Sequence, residues 1–185
     1  MAKQMLPKIC NGCPLSITNK KPFCSNLGNP NSGSFIVLPQ LEKSDKGDIS
    51  NNRSYNIIKE IYEDLFNCDI REQFLITSLV RCAPFDDTFV REEIAMRCFS
   101  LLYGGVRNYR PNVFILFGNS GSRIIGKSPT KDNIIYTDGN AYYFTNYNPL
   151  SMLYDNTKII FKRKLIQIFY AIDSRNLSEF QIKTL

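Results

Sequence analysis

The chain has 185 residues, a formal net charge of +6 and no histidine. The missing imidazole excludes the Ser-His-Asp triad, the Cys-His pair, HExxH zinc hydrolysis, the Cys2His2 finger and the zinc deaminase centre. The length suits one domain over 1–185, and the charge favours a polyanionic partner such as nucleic acid, with a basic surface that only aids solubility as the alternative. No apolar run approaches the roughly 20 residues of a membrane span, and no secretory signal is visible, so we expect an intracellular protein without a membrane partner.

Along the chain, a loop-rich beginning is followed by alternating strands and helices. Residues 1–34 are rich in proline, glycine, asparagine and serine, which predicts loops that need a stabilising link to the rest of the chain to be ordered. Short apolar runs then predict strands, amphipathic stretches predict helices, and 173–185 forms a polar tail. The predicted strands are 34–38, 74–80, 113–118 and 141–145, and the predicted helices are 55–66, 90–103, 120–125 and 158–171.

This alternation predicts an α/β fold, a three-layer αβα sandwich around a mostly parallel four-stranded sheet. The run 113–118 is nearly all apolar, as in a parallel strand that is buried on both faces. Ligands in such folds bind in the loops beyond the carboxyl ends of the strands. Any site is therefore expected in the loops 39–53, 81–88, 118–122 and 146–154.

Six cysteines in a chain that is expected to be intracellular call for an explanation other than disulfides. Cys10 and Cys13 form a CxxC pair whose intervening Gly12 permits a tight turn, and two such thiolates supply half of a tetrahedral metal site. Without histidine, the best candidates for the other half are Cys82 and Cys98. Four cysteine ligands fit structural zinc or a [4Fe–4S] cluster, and spacing does not decide between them.

The alternative interpretation needs no metal. The CxxC pair would then be a redox pair or a coincidence, and the other cysteines small core side chains. Cys24 and Cys68 are not assigned to the metal site in either interpretation.

Five segments in the same order give the chain a resemblance to the iron–sulfur uracil-DNA glycosylases of bacteria and archaea. The resemblance covers about residues 10–170. The matching segments are 10–15 (CNGCPL, the family's CxxCxL), 74–84 (FLITSLVRCAP, its strand ending in a cysteine), 93–98 (a Glu-Ile pair followed by cysteine), 110–118 (RPNVFILFG) and 147–151 (YNPLS, where the family has an HPS loop).

The resemblance implies a structural [4Fe–4S] cluster held by Cys10, Cys13, Cys82 and Cys98, with zinc as the alternative and no further small-molecule cofactor. It also implies a uracil-DNA glycosylase-like fold that binds DNA and flips a base into a pocket.

The chain departs from this family at the residues that carry the chemistry. Asn148 replaces the histidine of the HPS loop, so it can donate a hydrogen bond but cannot carry a proton. The segment 37–47 lacks the family's glycines, and the bulkier residues in their place would close space near a substrate. Ser50 stands where the family has a phenylalanine that stacks on the base, and Ser78 replaces an asparagine.

Candidate site residues follow from these matches. If the protein is active, the catalytic residues would be Asn148 as donor and Glu42 or Asp45 as the carboxylate that positions water. Leu150 or Leu153 would be a wedge at the vacated base, or else core packing, and the basic segment with Lys158 and Lys164 would contact phosphates or be a solvated helix face. The candidate DNA- and base-binding residues are Gln40, Ser50, Ser78, Asn146, Leu150, Ser151, Lys162 and Arg163.

The first hypothesis is therefore a divergent DNA-binding protein that lacks ordinary uracil excision and acts as a replication or repair accessory or as a partner-binding subunit. The alternative is an active DNA glycosylase that flips uracil or another modified base and hydrolyses its N-glycosidic bond. A third is a zinc-bound protein-interaction module without DNA affinity. The abundance of Asn, Ile, Lys and Tyr is typical of an AT-rich genome, such as that of a phage or virus.

Overall fold

The computed structural model describes residues 7–18, 24–84, 90–153 and 155–185, except the side chains of 103–108, 155 and 156. Parts of the predicted loops 1–34 and 81–88 lie outside these ranges. The helices are α1 (Pro14–Thr18), α2 (Arg53–Phe66), α3 (Ile70–Gln73), α4 (Glu92–Tyr109), α5 (Ser120–Ile125) and α6 (Asp155–Ser174). The strands are β1 (Leu27–Gly28), β2 (Ser34–Gln40), β3 (Leu75–Val80), β4 (Val113–Phe117), β5 (Ile134–Thr137), β6 (Tyr142–Asn146) and β7 (Gln181–Thr184).

The fold is α/β, as predicted, but the described residues form a sheet of seven strands in the order β1-β3-β2-β4-β6-β5-β7. The four predicted strands are its contiguous parallel centre, β3-β2-β4-β6. Strand β1 pairs antiparallel with β3, β5 pairs antiparallel with β6, and β7 extends the sheet parallel to β5. The prediction of a four-stranded sheet was therefore wrong: the sheet is mixed, and three short strands at its edges were missed.

Described helices pack on both faces of the sheet because its central strands are apolar on both sides. On one face, Ile58 of α2 and Phe161 of α6 belong to the same buried cluster as Ile115 of β4. On the other face, Leu102 of α4 packs in a cluster with Leu116 of β4. Consecutive residues of β4 therefore supply two separate cores. No described helix is both long and apolar enough to cross a membrane.

Several predicted boundaries differ from the observed ones for local reasons. Helix α2 begins two residues early because the Asn52 side chain accepts a hydrogen bond from the backbone N–H of Tyr55 and caps the helix. Helix α4 continues to Tyr109, beyond the end predicted at residue 103, and includes Gly104 and Gly105. In the predicted polar tail, Gln181–Thr184 forms β7, whose residues are all exposed.

Candidate nucleic-acid and metal site

The carboxyl ends of β2 and β6 meet at one edge of the sheet and form an open cavity of about 720 Å³ there. Pro39, which precedes the end of β2, and Asn148, which follows β6, both line it. Gly118 lies between them at φ +58°, and a Cβ added there would stand 3.4 Å from Asn148 Cβ and 3.5 Å from Pro39 Cγ. This is the edge at which parallel α/β sheets bind ligands.

The charged residues of the cavity lining are mainly basic. Lys43, Lys46 and Arg53 line it and are exposed, whereas Glu42 is the only carboxylate among the described residues of the lining. Three cations against one anion attract a negatively charged ligand into the opening. The sequence-based search missed these cations, although all three lie in the segment 39–53 where a site was expected: Lys43 and Lys46 follow β2, and Arg53 begins α2.

Two amides give the cavity groups that can form hydrogen bonds. Asn148 Oδ1 accepts the backbone N–H of Leu150 at 3.1 Å, and this bond holds the loop. Among the described residues, this leaves Nδ2 as the end of the amide that can donate to a ligand. Gln40 Oε1 accepts the backbone N–H of Val90 at 3.1 Å, which ties the cavity to the segment preceding α4.

The remaining lining groups are hydroxyl and apolar side chains. Ser44 and Ser54 add hydroxyls, and Leu150 is half-buried at the cavity, where a wedge was expected. Leu153, the other wedge candidate, is 57% exposed and is not part of the lining. No aromatic side chain is among the described residues that line the cavity.

Asp45 stabilises the loop 42–52 through hydrogen bonds to its buried carboxylate. It is fully buried, and its carboxylate accepts hydrogen bonds from Asn52 Nδ2 at 2.6 Å and from the backbone N–H of Glu42 at 2.7 Å. The Glu42 side chain reciprocates by accepting the backbone N–H of Asp45. Burial raises the pKa of Asp45, and the hydrogen bonds from Asn52 and Glu42 oppose that rise. Asp45 therefore shapes the cavity wall, and only Glu42 of the two candidate carboxylates lines the cavity.

We expect Asp45→Ala to lower the free energy of unfolding by about 1–3 kcal/mol, because two buried N–H donors lose their acceptor. Asp48→Ala is the matched control: Asp48 is an exposed cap of Ser50, so about 0.5–1 kcal/mol is expected. Urea denaturation of both variants measures the difference. Equal losses would show that the Asp45 network adds nothing to the loop.

The structure places the other candidate residues apart from the cavity. Ser50 is exposed and donates to Asp48, whereas Ser78 is buried in β3 and donates to the Val80 carbonyl. Asn146 is buried, and its Nδ2 donates to the Phe161 carbonyl at 3.3 Å. Ser151, half-buried in the loop after β6, donates its backbone N–H to the Asn148 carbonyl. These groups support the loops around the cavity.

The basic segment of α6 is divided between the surface and the interior. Lys158, Lys162 and Arg163 are exposed. Lys164 is only 2% exposed, and its Nζ donates to the carbonyls of Thr130 at 2.9 Å and Asp132 at 3.0 Å. Lys164 therefore does not belong to the exposed basic face.

The four candidate metal ligands are all buried, and three of them share one cluster. Cys13, Cys82 and Cys98 pack together with the apolar side chains between α1, β3 and α4. Cys10 is adjacent, since its carbonyl accepts the backbone N–H of Cys13 at 3.1 Å. Gly12 between them has φ +73°, which confirms the predicted turn. Ser16 Oγ closes this turn by donating to the carbonyls of Cys10 and Cys13 at 2.6 and 3.0 Å.

Burial and neighbouring groups shift the pKa of two of these thiols. Burial raises the pKa of Cys10, and the neighbouring Cys98 and Cys13 raise it further. Burial likewise raises the pKa of Cys98, although the backbone N–H of Arg81 donates to its sulfur and opposes that rise. No disulfide joins these cysteines, and among the described residues no three Cys, Asp or Glu side chains are arranged to hold a metal ion. The donor set is nevertheless the one that zinc or an iron–sulfur cluster uses.

Cys24, which the sequence did not assign to any site, packs in the same buried cluster as Leu38 and Leu41. It is buried, and its backbone N–H donates to the Arg81 carbonyl at 2.7 Å, while Arg81 Nε donates to the Cys24 carbonyl at 3.0 Å. Burial raises the pKa of Cys24, and Arg81 opposes this, with a smaller contribution from Asp45 that raises it. Arg81 thus links the segment before β1 to the strand end that carries Cys82.

The site stands without support from sequence relatives. No protein-family model matches the chain, and no curated protein matches it.

Proposed function

We propose that the protein binds DNA through the cavity at the carboxyl edge of the sheet and lacks ordinary uracil excision. The observation that carries this proposal is the combination of three cations with two amides in one opening of about 720 Å³. This size lies within the range of about 300–1,000 Å³ that is usual for ligand pockets. Amides can pair with the edge of a base, and the cations can pair with its phosphates.

The same lining argues against efficient base excision. Asn148 can donate to a base that acquires negative charge, but it has no acidic proton to share with that base. The described lining also lacks an aromatic ring on which an extruded base would stack. The protein would hold nucleotides without cleaving them, as expected for a replication or repair accessory or a partner-binding subunit with a uracil-DNA glycosylase-like fold.

The cluster of four cysteines would have a structural role in this protein. Cys10 and Cys13 belong to the loop-rich beginning, Cys82 follows β3 and Cys98 lies on α4. A [4Fe–4S] cluster on these four residues would join the three segments next to the cavity wall, and zinc is the alternative.

One observation favours an active glycosylase as the second candidate. Asn148 Nδ2 is the donor end of the amide in the cavity, and Glu42 in the same lining is a carboxylate that would position water. In this case Asn148 would stabilise the departing base, in a DNA substrate with uracil or another modified base.

Binding and base release together test the proposal. Fluorescence anisotropy with labelled single- and double-stranded DNA over a series of salt concentrations should show binding that weakens as salt rises, because phosphate contacts release counterions. Base release from DNA carrying uracil, hypoxanthine or oxidised bases should stay at the level of a protein-free control. Absence of DNA binding at low salt would overturn the proposal, and release of any base would favour the second candidate.

A further inference from the structure

A second pocket lies at the same edge of the sheet, on the other side of β6 from the cavity. Its volume is about 370 Å³, and it is bounded by α6 and the segment that leads into β5. Strand β5 runs antiparallel to β6, with Ile135 opposite Phe144, so the start of β5 lies beside the carboxyl end of β6. The contact from Asn146 Nδ2 to the Phe161 carbonyl fixes α6 against the same strand end.

The lining of this second pocket is suited to an anion. Its cations are Lys131, Arg163 and Lys164, and Asp132 is the one carboxylate that the described part of the chain contributes to it. Asn133 and Gln167 add amides that can donate hydrogen bonds. Lys131 and Arg163 are exposed at the rim, and Arg163 has the planar donor arrangement that pairs with two oxygens of a phosphate.

Lys164 gives the pocket a fixed cation in its floor. Its Nζ is held by the carbonyls of Thr130 and Asp132, and these two bonds also set the position of the loop that carries Lys131. An ammonium has three donors, so the two carbonyls leave one N–H. Burial lowers the pKa of Lys164 to about 8, with Asp132 opposing the effect. An anion bound nearby would favour the protonated form.

We propose that this pocket binds a backbone phosphate of a DNA strand whose neighbouring nucleotide occupies the cavity. This inference rests on the proposed function and specifies the path of the strand: it passes over the 146–153 segment that separates the two openings. The placement explains why the cations are divided between the cavity and the second pocket, where Arg163 and Lys164 come from the middle of α6 and Lys131 precedes β5. It also distinguishes Arg163 from Lys162, which is exposed on the same helix but does not line the pocket.

The test uses the full chain with Arg163→Gln, Lys131→Gln and the double variant. Lys183→Gln is the control, because Lys183 is exposed on β7, lines neither opening and loses the same charge. Anisotropy is measured with a labelled oligo-dT of roughly a dozen nucleotides, within the usual site size for single strands. We expect each pocket variant to weaken binding roughly tenfold. The slope of log affinity against log salt should fall by about 0.7 for a lost phosphate contact, and the control should match wild type.

A parallel calorimetric titration with inorganic phosphate distinguishes a site for a phosphate of the DNA strand from a site for free phosphate. Lower oligo-dT affinity and a lower salt slope in the pocket variants support the inference. Loss of phosphate binding with unchanged oligo-dT binding overturns it in favour of a free-phosphate site, and no change in either measurement overturns it outright. If wild type binds no DNA, the proposed function has failed. If the wild-type protein binds DNA and the pocket variants bind it equally well, the proposed function stands and this inference alone has failed.

Discussion

On the proposed four-cysteine metal site, Cys82→Ser is expected to abolish metal binding and to lower the free energy of unfolding by about 2–5 kcal/mol, a loss similar to that of a native cross-link. Cys82 is 4% exposed and packs with Cys13 and Cys98. Serine would leave three buried thiols and a hydroxyl at this point. The loop-rich segment that carries Cys10 and Cys13 would lose its tie to β3 and α4.

Cys68→Ser is the matched control for this prediction. Cys68 is half-buried near the end of α2, where its sulfur lies 3.8 Å from the Tyr62 hydroxyl, and it is outside the cluster. Iron, zinc and acid-labile sulfide are counted per chain after anaerobic purification, and thermal unfolding is followed by circular dichroism. The control should keep the wild-type metal content and midpoint.

The metal content also decides between the hypotheses for these cysteines. About four iron atoms and four sulfides per chain would identify a [4Fe–4S] cluster, and one zinc would identify the alternative. A colourless zinc protein that fails to bind DNA at low salt would favour the interaction module. Wild-type protein with neither metal would contradict the prediction and leave the cysteines as core side chains.

The sequence predicts the centre of the fold well because each central strand carries its own signal. The run 113–118, for example, is apolar nearly throughout, as expected of a strand that is buried on both faces. The edge strands lack this signal: β1 has two residues, and β7 is exposed along its whole length. Their pairing depends on strands that are distant in sequence and become neighbours only in the folded protein. The prediction ended α4 before Gly104 and Gly105 because glycine has a low helix propensity, whereas the observed helix includes both.

The sequence predicted where the candidate site lies, but it predicted only some of the residues that line it. The rule that ligands bind beyond the carboxyl ends of parallel strands led to the loops that line the cavity. Four predicted residues line it: Gln40, Glu42, Asn148 and Leu150. Sequence alone does not show which way a side chain points in an irregular loop, so Asp45 and Asn146 were candidates although the fold uses both as buried hydrogen-bonding groups.

Asn148→Asp is expected to weaken DNA binding by about tenfold to a hundredfold while leaving the fold intact. Aspartate keeps the Oδ1 that accepts the Leu150 N–H, so the loop retains its internal hydrogen bond. The substitution removes the Nδ2 donor and adds a negative charge to the cavity of Lys43, Lys46 and Arg53. The lost hydrogen bond and repulsion of phosphate both oppose binding.

Asn148→Ala separates the two roles of this side chain, because it removes the loop bond as well as the donor but adds no charge. It should lower stability by about 1 kcal/mol and weaken binding less than aspartate does. Asn31→Asp is the charge-matched control, since Asn31 is exposed before β2 at the opposite edge of the sheet. Anisotropy with oligo-dT and urea denaturation measure both effects. If Asn148→Asp and Asn31→Asp reduce affinity equally, the charge acts only through the net charge of the protein, and the cavity is not where the DNA binds.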